Sequence, residues 1–178
     1  CVNSKSLDNR ISVYVLIEAL KQLKEVPYDV YGVFTVQEEV GVRGAIVAAH
    51  QINPDFGIAL DTTIAFDLPG AQNHEKITAL GKGTAIKIMD AMTIADYRMD
   101  QYLKELADRN NIPWQPEILT AGGTDTAGVQ RNGKSGSIAG AISITTRHLH
   151  QVIEMVHKGD VDQSESLLTA ALEGIEGI

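Results

Sequence analysis

The sequence predicts an α/β fold, a three-layer αβα sandwich around a mixed, largely parallel sheet. Three observations point there. Amphipathic helical stretches alternate with short β-branched runs along the whole chain, the order that lays helices on both faces of a sheet. A content of 44% hydrophobic residues in a chain of 178 supplies one packed core and no more. No internal repeat, low-complexity segment or linker divides the chain, so one domain is expected.

From Ile11 to Val26 the apolar positions Ile11, Val15, Leu16, Ala19, Leu20 and Leu23 recur at helical spacing, while Glu18, Lys21, Gln22 and Lys24 take the other face. Pro27 stops this helix. "YDVYGVFTV" follows with the β-branched and aromatic content of a buried strand. "RGAIVAAHQI" reads as a short helix, "DFGIAL" as a strand ending at Asp61, and "TAIKIMDA" as a strand after the turn "GKG". "IADYRMDQYLKELADRNN" is a second amphipathic helix, "WQPEIL" and "GSIAGAISI" are strands, and "DVDQSESLLTAALEGI" is a closing helix with an acidic first turn.

The formal net charge of −8 argues against a nucleic-acid groove, which needs clustered Lys and Arg. No apolar run is long enough to span a bilayer, since "ISVYVLIEAL" is broken by Ser12 and Glu18. No membrane partner is expected. The one cysteine, Cys1, makes no internal disulfide, so a metal site here must rest on nitrogen and oxygen ligands, and a cytoplasmic location is expected.

Ligands of open α/β sheets sit beyond strand ends, which directs attention to polar residues placed there. Inside a regular strand Glu38 and Glu39 would point to opposite faces; where the pleat breaks, one carboxylate can hold a metal while its neighbour serves as general base. An adjacent pair of glutamates by itself is more often two solvated side chains. Asp8 stands at the start of the first helix, where capping is the commoner use. Asp61 closes "DFGIAL", either as a ligand supported by the following threonines or as an ordinary turn aspartate. In "TTRHLHQ", His150 and His148 compete for one role, and spacing does not choose between them. "AGGTDTAG" has glycines that let backbone approach a ligand, with Thr124 or Asp125 able to cap a helix. Acidic oxygens with one imidazole suit zinc, cobalt or manganese better than calcium, and suit a carboxylate-bridged metal pair.

The motifs "LDNR", "QEEVGVRGA", "ALDTT", "GKGTAIKIMD", "AGGTDTAG" and "ISITTRHLHQVIEM" resemble, in order and spacing, the glutamyl or tetrahedral aminopeptidase family of dinuclear metallopeptidases. Some members of that family carry the name cellulase M. The resemblance implies that Asp8 bridges two metals, Asp61 completes the shell of the first, and Glu39 with His150 hold the second. It makes Glu38 the general base and Thr124 and Asp125 pocket residues. It also favours His150 over His148, where the family usually has an aromatic residue. Gln151 departs from the small hydroxyl residue common after that ligand.

By the same resemblance, residues 1–178 are the C-terminal portion of a metallopeptidase catalytic domain, lacking an upstream histidine ligand and an inserted small β domain. The expected function is removal of N-terminal residues from short peptides by a homo-oligomeric enzyme with two divalent ions, zinc or cobalt, manganese being a third candidate. This chain alone is expected to hold at most one ion. A glycosidase ranks below, because sugar sites favour aromatic platforms and the chain has 5% aromatic residues and one Trp. A non-catalytic fragment acting in assembly or regulation is the third reading.

Overall fold

The computed structural model describes residues 1–178, apart from the surroundings of Gly177. Six strands and five helices run in the order β1 (Val2–Ser4), α1 (Leu7–Gln22), α2 (Arg43–Ile52), β2 (Phe56–Ile64), β3 (Thr84–Met89), α3 (Tyr97–Arg109), β4 (Trp114–Ile118), α4 (Thr126–Asn132), β5 (Ile138–Arg147), β6 (Glu154–Val156) and α5 (Lys158–Gly174). They build the αβα sandwich that the alternation predicts.

β5 organises the sheet. Its whole length pairs in parallel with β2, from Phe56 against Ile138 to Ile64 against Thr146. Its other edge meets β3 at Ala85 and Ile86 and β6 at Val156 and Met155, both antiparallel. β4 lies parallel on β3, and β1 antiparallel on β6. The two parallel pairs carry most of the register, so the sheet is mixed and largely parallel. Pro116, which has no N–H to donate, is tolerated because β4 is an edge strand.

Side chains on alternate sheet positions choose their layer. Gly140 faces Met99 of α3, and Ile142 and Ile144 continue that face into a core shared with α1, α3 and α5, through Val15, Leu103 and Leu167. On the opposite face Gly57 leaves room for Val129 of α4, which packs on α2. Beyond those helices this second face turns polar: Asp61, Thr63, Ser143, Thr145, Lys87 and Glu117 are all buried there.

Two sequence expectations are corrected. "YDVYGVFTV" forms no strand. Among the described residues, no backbone group from Asp29 to Thr35 bonds to another backbone group, and Tyr31, Val33 and Phe34 are exposed. A β-type sequence becomes a strand only beside a partner edge, and among the described residues no strand pairs with it. Asp61 does not end its strand either, because β2 continues to Ile64 along its register with β5. β1, β6 and α4 were not foreseen, being three, three and seven residues long and too short to show a period.

Candidate metal centre

Two irregular loops and the start of α1 meet at one end of the sheet. The first loop is a tight turn at Glu38–Gly41, in which the Glu38 carbonyl accepts from the N–H groups of Gly41 and Val42 before α2 begins. The second follows β5 and carries His150. Gln37 and Val42 in one loop, and His148 and His150 in the other, sit at φ between 49° and 62°. That left-handed region is uncommon for non-glycine residues and an outlier for a β-branched one such as Val42. Strain of this kind persists only where surrounding contacts impose it, and it clusters at functional sites.

Asp8 is counted in α1, but its backbone is not helical and its side chain caps nothing. It turns to His150 instead: Asp8 Oδ2 lies 3.1 Å from His150 Nε2, and Glu39 Oε1 lies 3.4 Å from the same nitrogen. Ligand atoms of Asp8, Glu39 and His150 all fall within 4.8 Å of one another. His148 is not in this group, so geometry separates the two histidines where spacing did not.

One carboxylate holds the arrangement. Buried Glu154 accepts the Asp8 N–H on Oε2 at 2.9 Å and the His150 N–H on Oε1 at 3.0 Å, tying the start of α1 to the loop after β5. The sequence reading missed this residue. The signal available was an acid at an inward position of the apolar run "VIEMV".

Electrostatics mark the cluster as short of positive charge. Burial pushes Glu38 up to about 7, helped by Asp125, Glu39 and Asp8 and opposed by His150. Asp8 is raised by burial and then by Glu39, while His150 pulls it back. Asp61 stands well above the usual carboxylate range because it is buried; the Thr62 N–H and Lys87 oppose the shift, and Glu38 and Asp8 add to it. Asp61 therefore feels the site electrostatically but stands outside the three-residue group.

The glycine-rich segment is more enclosed than its sequence implies. Thr124 is buried and donates toward Asp90 at 3.4 Å and Thr126 at 3.0 Å. Asp125 begins α4 without a side-chain cap and accepts the Thr35 hydroxyl, beside Glu38. Beneath lies an ionic group that the sequence reading also missed, in which buried Lys87 Nζ meets Glu117 at 2.5 Å and Asp90 at 3.5 Å.

The donor set fits a divalent cation. Two ligands about 2.1 Å from one ion in tetrahedral geometry lie about 3.4 Å apart, close to the separations around His150 Nε2. Two carboxylates and an imidazole suit a transition metal, and bound positive charge would relieve the crowding that raises the acids.

Fold and site together define an αβα sandwich whose sheet end carries a carboxylate–imidazole centre suited to a divalent metal. The chain belongs to the M42 glutamyl aminopeptidase family, whose model matches residues 1–167. It is 43% identical over 171 residues to a protein of Acetivibrio thermocellus named as an aminopeptidase, covering 96% of this chain and 51% of that protein. It is 36% identical over 173 residues to a lysyl aminopeptidase of Pyrococcus furiosus, covering 96% of this chain and 48% of the relative. The structure of an aminopeptidase from Desulfurococcus kamchatkensis superposes with a TM-score of 0.93 at 40% identity, over 96% of this chain and 48% of the other. A TET1 peptidase of Pyrococcus horikoshii, which assembles into a tetrahedron or a large octahedral shell, matches with a TM-score of 0.77 at 32% identity, over 94% and 48% of the two chains. The chain thus spans about half the length of the relatives it matches.

Proposed function

We propose that residues 1–178 are the C-terminal portion of the catalytic domain of a metal-dependent aminopeptidase that removes N-terminal residues from short peptides in the cytoplasm. The observation that carries this reading is the convergence of Asp8, Glu39 and His150 on one point, with the half-buried Glu38 carboxyl beside them. Asp8, Glu39 and His150 would hold one divalent ion, zinc, cobalt or manganese, and Asp8 with Asp61 would serve a second in the complete enzyme. Such an ion supplies Lewis acidity to the peptide carbonyl and acidifies water.

The protein's own groups divide the remaining work. Glu38 is the general base: its carboxylate, next to the ligand Glu39 and half-buried among the other acids, takes a proton from water and returns it to the leaving amine. Glu39, one residue on, holds the ion. Glu154 fixes Asp8 and His150 through their backbones, and Asp125 borders the substrate side with Thr124 bracing the loop. Membership of a family that includes shell-forming peptidases supports a homo-oligomer.

A chimera tests the reading. Replacing the matched half of the Acetivibrio thermocellus relative with this chain should give an enzyme that cleaves peptides with a free N-terminus, needs zinc or cobalt, and spares N-acetylated copies. Cleavage of the acetylated peptide at equal rate would refute an aminopeptidase.

A further inference from the structure

We propose that Met92 is a site of reversible oxidation by hydroperoxides, and that its sulfoxide loosens the glycine-rich segment beside the candidate metal centre. Met92 stands in the loop between β3 and α3. Its backbone is held on both sides: the N–H donates to Asp90 Oδ1 at 2.9 Å, and the carbonyl accepts from Arg131 Nη2 at 2.7 Å. The side chain reaches across to another loop. A Cβ built on Gly123 would stand 2.4 Å from the Met92 sulfur and 2.7 Å from its Cγ, so the thioether fills the space where residue 123 has no side chain.

Of the four methionines, Met92 is the exposed one. It is 44% exposed, whereas Met99 is fully buried and Met89 and Met155 are partly covered, with the Arg147 guanidinium 3.9 Å from the Met155 sulfur. Oxidation of a thioether follows its exposure. What Met92 covers has little else to hold it. Among the described residues, no backbone group of Ala121, Gly122 or Gly123 bonds to another backbone group. The next anchor is the buried Thr124 hydroxyl, 3.4 Å from Asp90 and 3.0 Å from Thr126. Asp125 follows, accepting the Thr35 hydroxyl beside Glu38. The cover thus comes from a different loop, and a chemical change on Met92 acts on residues 121–123 without altering them.

In the oxidation the sulfur lone pair attacks one oxygen of the peroxide. An S–O bond forms, the O–O bond breaks, the sulfur loses two electrons, and the departing oxygen leaves as water or an alcohol. A thioether rests on Gly123 as an apolar group. The sulfoxide is polar and is solvated better by water than by the glycine backbone, so it is drawn off the segment. A sulfoxide reductase reverses the step: the S–O bond breaks, two thiols are oxidised to a disulfide, and the oxygen leaves as water. Because Thr124 and Asp125 border the substrate in the proposed aminopeptidase, the effect on hydrolysis rests on that reading. The modification and the loosening do not.

The test starts with this chain, its Cys1 thiol blocked by alkylation, exposed to hydrogen peroxide. Peptide mass spectrometry should show sulfoxide forming at Met92 at least about tenfold faster than at Met99. Subtilisin cleavage between residues 119 and 126 should rise at least about threefold in the oxidised chain and return to its first rate after methionine sulfoxide reductase. Met92→Leu keeps the volume and removes the sulfur, so it should fold and show no rise. In the chimera with the Acetivibrio thermocellus relative, peroxide should lower peptide hydrolysis by at least about fivefold and spare the Met92→Leu form. Oxidation at Met92 no faster than at Met99, unchanged cleavage of the oxidised chain, an equal rise in Met92→Leu, or equal loss of hydrolysis in both chimeras would each overturn the proposal. A chimera inactive before peroxide would refute the aminopeptidase reading, while the mass spectrum and the cleavage rate still decide this one.

Discussion

Glu38 and Glu39 are neighbours in sequence and opposites in surroundings. Glu38 is half-buried among acids and raised to about 7, whereas Glu39 is exposed with its carboxylate 3.4 Å from His150. Glu38→Gln in the complete enzyme is therefore expected to keep its metal and lose hydrolysis by about a hundred-fold or more, because an amide takes no proton. Glu39→Gln should lower metal occupancy instead, and elemental analysis of the two purified variants separates the roles. Glu154 gives the sharper test of the scaffold. An amide at that position has one acceptor where the carboxylate has two, so Glu154→Gln frees the N–H of either Asp8 or His150. The expected result is zinc affinity weaker by about tenfold or more and a stability loss of about 1–3 kcal/mol, read by zinc titration and thermal melting. Unchanged zinc affinity would mean that the two loops hold their places without it.

At the scale of elements, β3 and β4 are joined by more than their ladder. Lys87 is 2% exposed and sits between Glu117 and Asp90, with the Thr63 hydroxyl of β2 donating to Glu117 at 2.7 Å. Removing the cation strands two buried acids, so Lys87→Met should cost about 3–5 kcal/mol in chemical denaturation. The double variant Lys87→Met with Glu117→Leu should recover part of it, since an apolar pair of similar volume leaves Asp90, which keeps the N–H groups of Met92 and Thr93, and the Thr63 hydroxyl, which loses its acceptor. The same elements show what a single sequence makes legible. The helical spacing of "RGAIVAAHQI" predicts α2 at its observed bounds, whereas the apolar runs "TAIKIMDA" and "GSIAGAISI" predict β3 and β5 as strands but not their ends: β3 stops at Met89, and β5 runs from Ile138 on to Arg147. Periodicity reports burial of one face against the chain's own core, and these elements bury such a face. "YDVYGVFTV" has the same signal and no ladder, because composition records a preference for a partner without saying whether the partner is present. Asp8, Glu39 and His150 were legible as a set only through the resemblance. Glu154 and Lys87 were not, since their roles depend on which distant backbone or acid the fold brings to them.

For the whole molecule, the raised acids turn the candidate metal centre into a dependence of stability on pH. In the metal-free chain Glu38, Asp8, Asp61 and Asp125 are all raised above their ordinary values of 4.5 for Glu and 3.8 for Asp, chiefly by burial. The folded state then binds more protons than the unfolded state as pH rises from the ordinary carboxylate range through about 7, where Glu38 titrates. Stability must fall as pH rises through that window. Asp67 and Asp96 are lowered instead, Asp67 against its burial by Arg147 and the Leu80 N–H and Asp96 by Arg98, so their contributions are nearly complete by about pH 5 and do not mask the trend. Zinc reverses the sign, because it binds ionised carboxylates and neutral imidazole and its affinity grows as they lose protons. The melting temperature of the chelator-treated chain should decline from pH 5 to pH 7.5, and that of the zinc-saturated chain should rise over the same range. With Asp8, Glu39 and His150 as the donor set present, saturation is expected at no more than one zinc per chain, with negligible turnover of a peptide anilide. Glu38→Gln should flatten the metal-free slope without changing the stoichiometry. Two fully occupied zinc sites would require a ligand outside this set, and His148 is then the residue to replace first.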